Sequence, residues 1–177
     1  KEYQEQLDKI VEALVGIDAA VIGLMEIEND GFGPQSAIAQ LTEALNVRYG
    51  EGVYAFINAG EPDPDSDEIT NGILYNTEAV MPAQDVQILT SANSISDEDG
   101  PLFDTSRNRP SLAQQFVVKE TGDTFVVNVN HLKSKGSSCG TGDDSDNGQG
   151  SCNLTRTRAA QALHVWLANT YADEAVM

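Results

Sequence analysis

The chain has 177 residues, of which 40% are apolar, so it is long enough to form one domain with its own hydrophobic core. Its 28 acidic and 10 basic residues give a formal net charge of −18. No stretch reaches the roughly 18 consecutive apolar residues of a membrane span. We therefore expect neither a membrane protein nor a nucleic-acid binder that depends on clustered lysine and arginine, and any chemistry on phosphate groups must recruit cations.

Hydrophobic spacing predicts helices and strands that follow one another along the chain. The first two elements are an amphipathic helix over residues 2–15 and a strand over residues 19–27 that we expect to be buried on both faces. The later elements are a helix near residues 38–45, strands at residues 53–57, 71–75, 86–89, 112–119 and 124–130, and a helix at residues 156–171. This succession predicts a layered α/β or α+β fold in a single domain.

Two cysteines, Cys139 and Cys152, bracket a segment rich in glycine, serine and aspartate, in which a buried thiol would have no packing role. We interpret them as a disulfide, which persists in oxidising compartments and so favours a secreted protein. Two free thiols in a cytosolic protein are the alternative. Zinc binding is disfavoured because the spacing offers no close cysteine pair and no nearby histidine.

Acidic residues concentrate in three predicted loops, at residues 61–68, 97–104 and 143–146. Solvated loops are the simplest interpretation of these runs. Asp144 and Asp146 alternate before a glycine inside the segment that the cysteines bracket, which makes them candidate ligands of Ca²⁺. Short aspartate-rich turns without a metal are the alternative.

Two candidate catalytic residues stand near predicted strand ends. A carboxylate such as Glu26 must there be paired, protonated or bound to a hard divalent cation, and Glu28 is the alternative ligand. His131 precedes Lys133 and Lys135, a combination suited to holding a phosphate while the imidazole transfers a proton. For each residue alone, a structural role is the competing interpretation.

Arg107 and Arg109, next to Pro110, are a third group of candidate site residues. Guanidinium groups at this position either contact phosphate or pair with the acidic loop at residues 97–104.

Several segments together resemble a known family. They are residues 24–29, 71–76, 108–114 and 129–136, with the sequences LMEIEN, NGILYN, NRPSLAQ and VNHLKSKG, and residues 148–160 match as well. In this order the chain resembles the endonuclease/exonuclease/phosphatase superfamily, whose best-known members are similar to pancreatic deoxyribonuclease. More narrowly, it resembles the secreted bacterial extracellular nucleases. The resemblance implies a four-layer αββα sandwich of mixed sheets flanked by helices.

The resemblance also implies roles for individual residues. Glu26 corresponds to the acidic ligand of Mg²⁺ or Mn²⁺, and His131 corresponds to the histidine that hydrogen-bonds the scissile phosphate or protonates the leaving oxygen. The implied phosphate or substrate contacts are Asn71, Arg107 or Arg109, Asn130, Lys133 and Lys135. Ca²⁺ is an additional candidate cofactor. DNA is the expected substrate, with RNA as an alternative.

Three family motifs have no counterpart in the sequence: a first strand with an asparagine, a Gly-Asp-Leu-Asn segment and a final Ser-Asp-His segment. The sequence also starts at Lys1 without a methionine. We therefore expect residues 1–177 to be part of one catalytic domain of a secreted bacterial nuclease, inactive as an isolated piece.

Three further expectations accompany this interpretation. Copies of the chain should form homodimers through a sheet face that the missing motifs leave uncovered. A phosphoesterase for phospholipids or small phosphorylated substrates is an alternative function on the same fold. A non-catalytic interaction module stabilised by calcium is the other alternative.

Overall fold

The computed structural model describes residues 2–60, 67–145, 148–172 and 174–177. Within this part the helices are α1 (Glu2–Ile17), α2 (Ala37–Tyr49) and α3 (Asn153–Thr170). The strands are β1 (Val21–Glu28), β2 (Tyr54–Phe56), β3 (Ile69–Asn76), β4 (Val80–Pro82), β5 (Gln87–Leu89), β6 (Ser96–Asp97), β7 (Gly100–Pro101), β8 (Ser111–Val118) and β9 (Thr124–Val129). None of the helices in the described ranges is long and apolar enough to cross a bilayer.

The strands form two main sheets with antiparallel pairing. Sheet A has the order β1-β3-β2, while in sheet B the long strand β8 pairs with β4, β5 and β9. A short pair, β6 and β7, stands apart. Val176 adds a parallel bridge to Val126 of β9, which makes sheet B mixed at that edge.

Hydrophobic contacts order these elements into four layers. Helices α1 and α2 cover one face of sheet A, where Leu14, Leu45 and Leu74 are buried together. Between the sheets, Ile73 of β3 packs in the same core as Phe116 of β8. Helix α3 covers the other face of sheet B through an apolar cluster that contains Leu89, Phe103, Ala159, Ala162 and Leu163. The αββα sandwich that the resemblance implied is therefore confirmed.

The predicted helices correspond to α1, α2 and α3, and the predicted strands correspond to β1, β2, β3, β5, β8 and β9. Two features were missed, namely β4 and the β6–β7 pair. These strands have three or two residues each, and their largely exposed side chains give no hydrophobic alternation.

The expectation that the strand at residues 19–27 is buried on both faces is wrong. In β1, Ile22 is buried, whereas Met25 and Glu26 are exposed. Within the described residues β1 pairs with β3 alone, so it is an edge strand of sheet A. An edge strand has a neighbouring strand on one side only, and its residues are therefore less completely covered than those of a central strand.

Two glycines lie where layers approach closely. A Cβ added at Gly23 of β1 would lie 2.9 Å from Cγ2 of Val129, a buried residue at the end of β9. A Cβ added at Gly72 of β3 would lie 2.9 Å from Cδ1 of Ile38 on α2. The two neighbours differ in freedom, since the β-branched valine is held at χ1 while the δ-methyl of isoleucine can rotate away.

We expect Gly23→Ala to lower the free energy of unfolding by about 1–3 kcal/mol, because the new methyl group overpacks the space between the sheets. Gly72→Ala is the matched control and should cost less. Urea unfolding of both variants measures the difference. An equal or larger loss in Gly72→Ala would contradict the assignment of Gly23 as the tighter contact.

An ion pair fixes the β6–β7 pair to α3. Arg158 donates through Nη2 to Oδ1 of Asp97 at 2.7 Å, and its Nη1 donates to the other carboxylate oxygen. Nη2 also donates to the Gly100 carbonyl at 3.3 Å. The hydrogen bonds from Arg158 lower the pKa of the Asp97 carboxyl below its ordinary value.

This lowered pKa makes stability depend on pH. The ionised carboxylate stabilises the fold above the ordinary aspartate pKa of about 3.9, and the contribution is lost as the pH falls through the lowered folded value. We expect the melting temperature of Asp97→Asn to lie below that of the wild type at about pH 6, and this difference in melting temperature to disappear by about pH 2. Thermal unfolding across that range tests this, with the exposed Asp85→Asn as control. A gap that is constant with pH would show that the carboxylate charge is not involved.

Candidate functional site

Glu26 lies in a β-bulge. The register of β1 against β3 shifts between Leu24 and Ile27, and Glu26 has a φ of +61°, in the left-handed region that non-glycine residues rarely adopt. Its side chain is 68% exposed. Non-glycine residues with this kind of backbone strain are frequent at functional sites, and they persist only where the surrounding structure holds them in place.

His131 follows β9, so it belongs to sheet B, whereas Glu26 belongs to sheet A. Its Nε2 lies 3.7 Å from Oε1 of Glu26. This distance exceeds a hydrogen bond, so both groups keep the capacity to bind a third group. The imidazole is 22% exposed, and its Nδ1 is buried with no hydrogen-bond partner in the described part of the chain. The two sheets thus bring together the two residues that the sequence nominated as catalytic.

The surroundings of Glu26 are acidic. Glu26, Glu28, Asp30 and Glu68 line one depression, together with Asn29 and Ile69. Asp30 already has a structural role, because both of its carboxylate oxygens accept from the Ala37 backbone N–H at the start of α2, each at 3.1 Å. Among the residues described, no lysine, arginine or histidine lines this depression.

The fit of a divalent cation follows from this donor set. In the described ranges, no group of three or more histidine, cysteine, aspartate or glutamate side chains is arranged to hold a metal by itself. Mg²⁺ commonly binds one or two carboxylates and takes its other ligands from water and phosphate. The exposed carboxylate of Glu26 suits such a cation, and Glu28 lines the same depression as the alternative ligand.

Asn71 and Arg109 line a cleft of about 520 Å³ between the two sheets. The side chain of Asn71 is buried and its Nδ2 donates to the Pro110 carbonyl at 2.8 Å. Arg109 forms an ion pair with Asp67 at 2.9 Å, and not with the acidic loop at residues 97–104 that the sequence offered as an alternative. Arg107 is exposed, and its backbone N–H donates to the Asp104 carbonyl.

The other predicted phosphate contacts, Asn130, Lys133 and Lys135, lie next to His131 in the sequence, and each makes a different local contact. Lys133 donates through Nζ to Oγ of Ser137 at 2.6 Å, and the exposed Lys135 lays its aliphatic stem against Gly150. Asn130 donates through Nδ2 to Oδ1 of Asn128, while its own Oδ1 is buried without a partner among the described residues.

Two residues that sequence reasoning missed hold this loop beside the site. Asn108 is fully buried, accepts from the Lys133 backbone N–H at 2.9 Å and donates to the Asp104 carbonyl at 3.0 Å. Arg156 of α3 donates to the carbonyls of Lys133 at 3.1 Å and Ser151 at 2.7 Å. Both lie in segments that carried the resemblance, which was the only available signal for them.

Cys139 and Cys152 form a disulfide, as the sequence predicted. Asp144, inside the closed segment, accepts from the backbone N–H of Thr155 at 3.2 Å and from its hydroxyl at 2.6 Å, so it caps the start of α3. Asp146 lies outside the described residues. Calcium binding by this pair stays a prediction, and Asp144 has a structural role in any case.

No protein-family model matches the sequence, and no curated protein matches it either. Solved structures do match the fold. A mannosyl-6-phosphatase from Bacteroides thetaiotaomicron has a TM-score of 0.65 and 14% identity, over 98% of this chain and 54% of that one. An endonuclease/exonuclease/phosphatase family protein from the same species has a TM-score of 0.65 and 15% identity, over 98% and 52%.

A third match is TDP2 from D. rerio, complexed with a single-strand DNA product, with a TM-score of 0.54 and 16% identity, over 98% of this chain and 50% of that one. The chain therefore spans about half the length of the solved structures that it matches. At these identities the likeness concerns the fold, and the chain has the fold of endonuclease/exonuclease/phosphatase proteins.

Proposed function

We propose that this chain is part of a secreted, divalent-metal-dependent phosphoesterase, and that the whole protein hydrolyses phosphodiester bonds in DNA. The observation that carries the proposal is the 3.7 Å distance between Nε2 of His131 and Oε1 of Glu26, which belong to different sheets. A carboxylate that suits a divalent cation, beside an imidazole that can transfer a proton, is the combination that phosphoester hydrolysis uses.

Each residue then has a defined task. Glu26 holds Mg²⁺ or Mn²⁺, and the cation, when bound, neutralises the charge that develops on the phosphate. Water adds to phosphorus and releases a proton to solvent, the ester P–O bond breaks, and the leaving oxygen takes a proton from Nε2 of the protonated His131, which solvent then restores. Because the chain carries a net charge of −18, the cation also offsets the repulsion between protein and polyanion.

The finer parts of the proposal have separate support. The partial-domain interpretation agrees with the coverage of about half of the two Bacteroides structures. The disulfide favours an oxidising compartment and hence secretion. The DNA product in the TDP2 structure favours a nucleic-acid substrate, whereas the mannosyl-6-phosphatase makes a small sugar phosphate the second candidate.

Metal binding by the 177-residue chain tests the role of Glu26. We expect Glu26→Gln to weaken Mn²⁺ binding by about tenfold or more, because the amide keeps the shape of the side chain and removes its charge. Glu28→Gln should have a smaller effect, and Glu43→Gln, an exposed position on α2, is the control. Electron paramagnetic resonance of free Mn²⁺ gives the affinities. Loss in Glu28→Gln alone would reverse the ligand assignment.

Cleavage by a longer form of the protein, extended at both ends, tests the role of His131. We expect His131→Ala to lower kcat for DNA cleavage by about 10²–10⁴, which is the usual contribution of a positioned proton donor. The only other histidine, the exposed His164 of α3, provides the matched control. Cleavage that survives His131→Ala, or that persists after chelation of divalent metals, would overturn the proposed mechanism.

A further inference from the structure

The cleft beside Asn71 and Arg109 has the size and position of a substrate subsite. Its volume of about 520 Å³ falls within the range of small-molecule pockets, which is roughly 300–1,000 Å³. Ile69 and Asn71 line it from sheet A, and Ile88 and Leu112 line it from sheet B. A group bound there would therefore lie between the ends of the two sheets.

The cleft is continuous with the candidate catalytic site. Asn29 and Ile69 line both the cleft and the acidic depression that contains Glu26. Arg109, on the far wall, donates its backbone N–H to the carbonyl of His131 at 3.1 Å. A molecule whose phosphate lies near Glu26 and His131 can therefore extend its organic group into the cleft.

The walls of the cleft are mainly apolar. Phe32, Ile69, Ile88, Pro110 and Leu112 contribute to them. Of the five hydroxyl residues that line the cleft, Thr90, Ser91 and Thr105 have hydroxyl groups already engaged in hydrogen bonds. Ser91 and Thr105 share a hydrogen bond of 2.8 Å, and the Thr90 hydroxyl donates to Asn93 at 3.4 Å. Such walls suit a flat ring with apolar faces better than a sugar, whose hydroxyl groups would lose hydrogen bonds to water.

The charge of the cleft excludes it as a second phosphate site. Arg109 is its only basic lining residue among those described, and Asp67, which also lines the cleft, pairs with it at 2.9 Å. The cleft lies beside two buried polar atoms, Nε of Arg109 and Oδ1 of Asn71, for which the described residues supply no hydrogen-bond partner. Since its one basic side chain is already paired, the lining suits a neutral heterocycle better than a second anion.

We propose that this cleft binds the nucleobase of the nucleotide whose phosphate is hydrolysed. The inference rests on the proposed function, since it places the phosphate at Glu26 and His131. It makes the substrate a nucleotide and not a sugar phosphate.

Isothermal titration of the 177-residue chain in Mg²⁺ tests the base directly. The probes are deoxyadenosine 5′-monophosphate, 2-deoxyribose 5-phosphate and a hexose 6-phosphate. We expect the nucleotide to bind about tenfold or more tightly than either sugar phosphate, because base stacking on aromatic and apolar side chains contributes strongly to affinity. Phe32→Leu should reduce this preference by about fivefold or more, while retaining packing against Phe56.

Two further variants test whether the nucleotide binds in this cleft. Ala92→Leu places a branched side chain on the lip of the cleft and should reduce the affinity for the nucleotide alone. Ala168→Leu, at an exposed position of α3, is its matched control and should change nothing. Equal affinities for nucleotide and deoxyribose 5-phosphate in the wild type would overturn the inference. Hexose 6-phosphate binding that matches the nucleotide and depends on Ala92 would overturn it in favour of a sugar.

His131→Ala separates failure of this inference from failure of the proposed function. If phosphate binds at His131, the variant weakens nucleotide and sugar phosphate by the same factor, and the ratio between them is kept. If the nucleotide retains its full affinity in His131→Ala but loses it in Ala92→Leu, the base subsite stands and the proposed phosphate site is wrong.

Discussion

The close approach of the two sheets at Gly23 and Val129 is the constraint on which the candidate site depends. A Cβ at Gly23 would lie 2.9 Å from the side chain of Val129, so the strands meet at a distance that only glycine allows. Glu26 follows Gly23 by three residues, and His131 follows Val129 by two. Because packed sheets deform little, this contact also limits how far apart the backbones that carry the carboxylate and the imidazole can lie.

The β-bulge at Glu26 is the second feature on which the candidate site depends. Hydrophobic periodicity predicted β1 and β9, and hence two polar residues near strand ends, because buried apolar residues leave a regular signal. Periodicity carries no information on a register shift, so neither the φ of +61° at Glu26 nor the exposure of its carboxylate was predictable. The four-layer arrangement came from the resemblance, since spacing alone does not specify which layers pack together.

Asn108 and Arg156 illustrate a second limit of sequence reasoning. Each supports the loop after His131 through bonds to a backbone group of Lys133, and that backbone is 25 residues away for Asn108 and 23 for Arg156. Such contacts exist only once the tertiary fold has formed. In the segment NRPSLAQ the arginines attracted the functional hypothesis, whereas the buried amide beside them carries the structural role.

The disulfide between Cys139 and Cys152 also helps to hold the loop after His131 in place. Cys152 occupies the cap position of α3 with a φ of +65°, and Arg156, one turn later, donates to carbonyls on both the Lys133 loop and the disulfide segment. Asp144 holds the first turn of the helix from the other side through Thr155. Closing the segment at Cys139 therefore restrains the start of α3, and α3 in turn restrains the loop that leaves His131. A bond that the sequence indicated as a mark of secretion thus also stabilises the geometry of the candidate site.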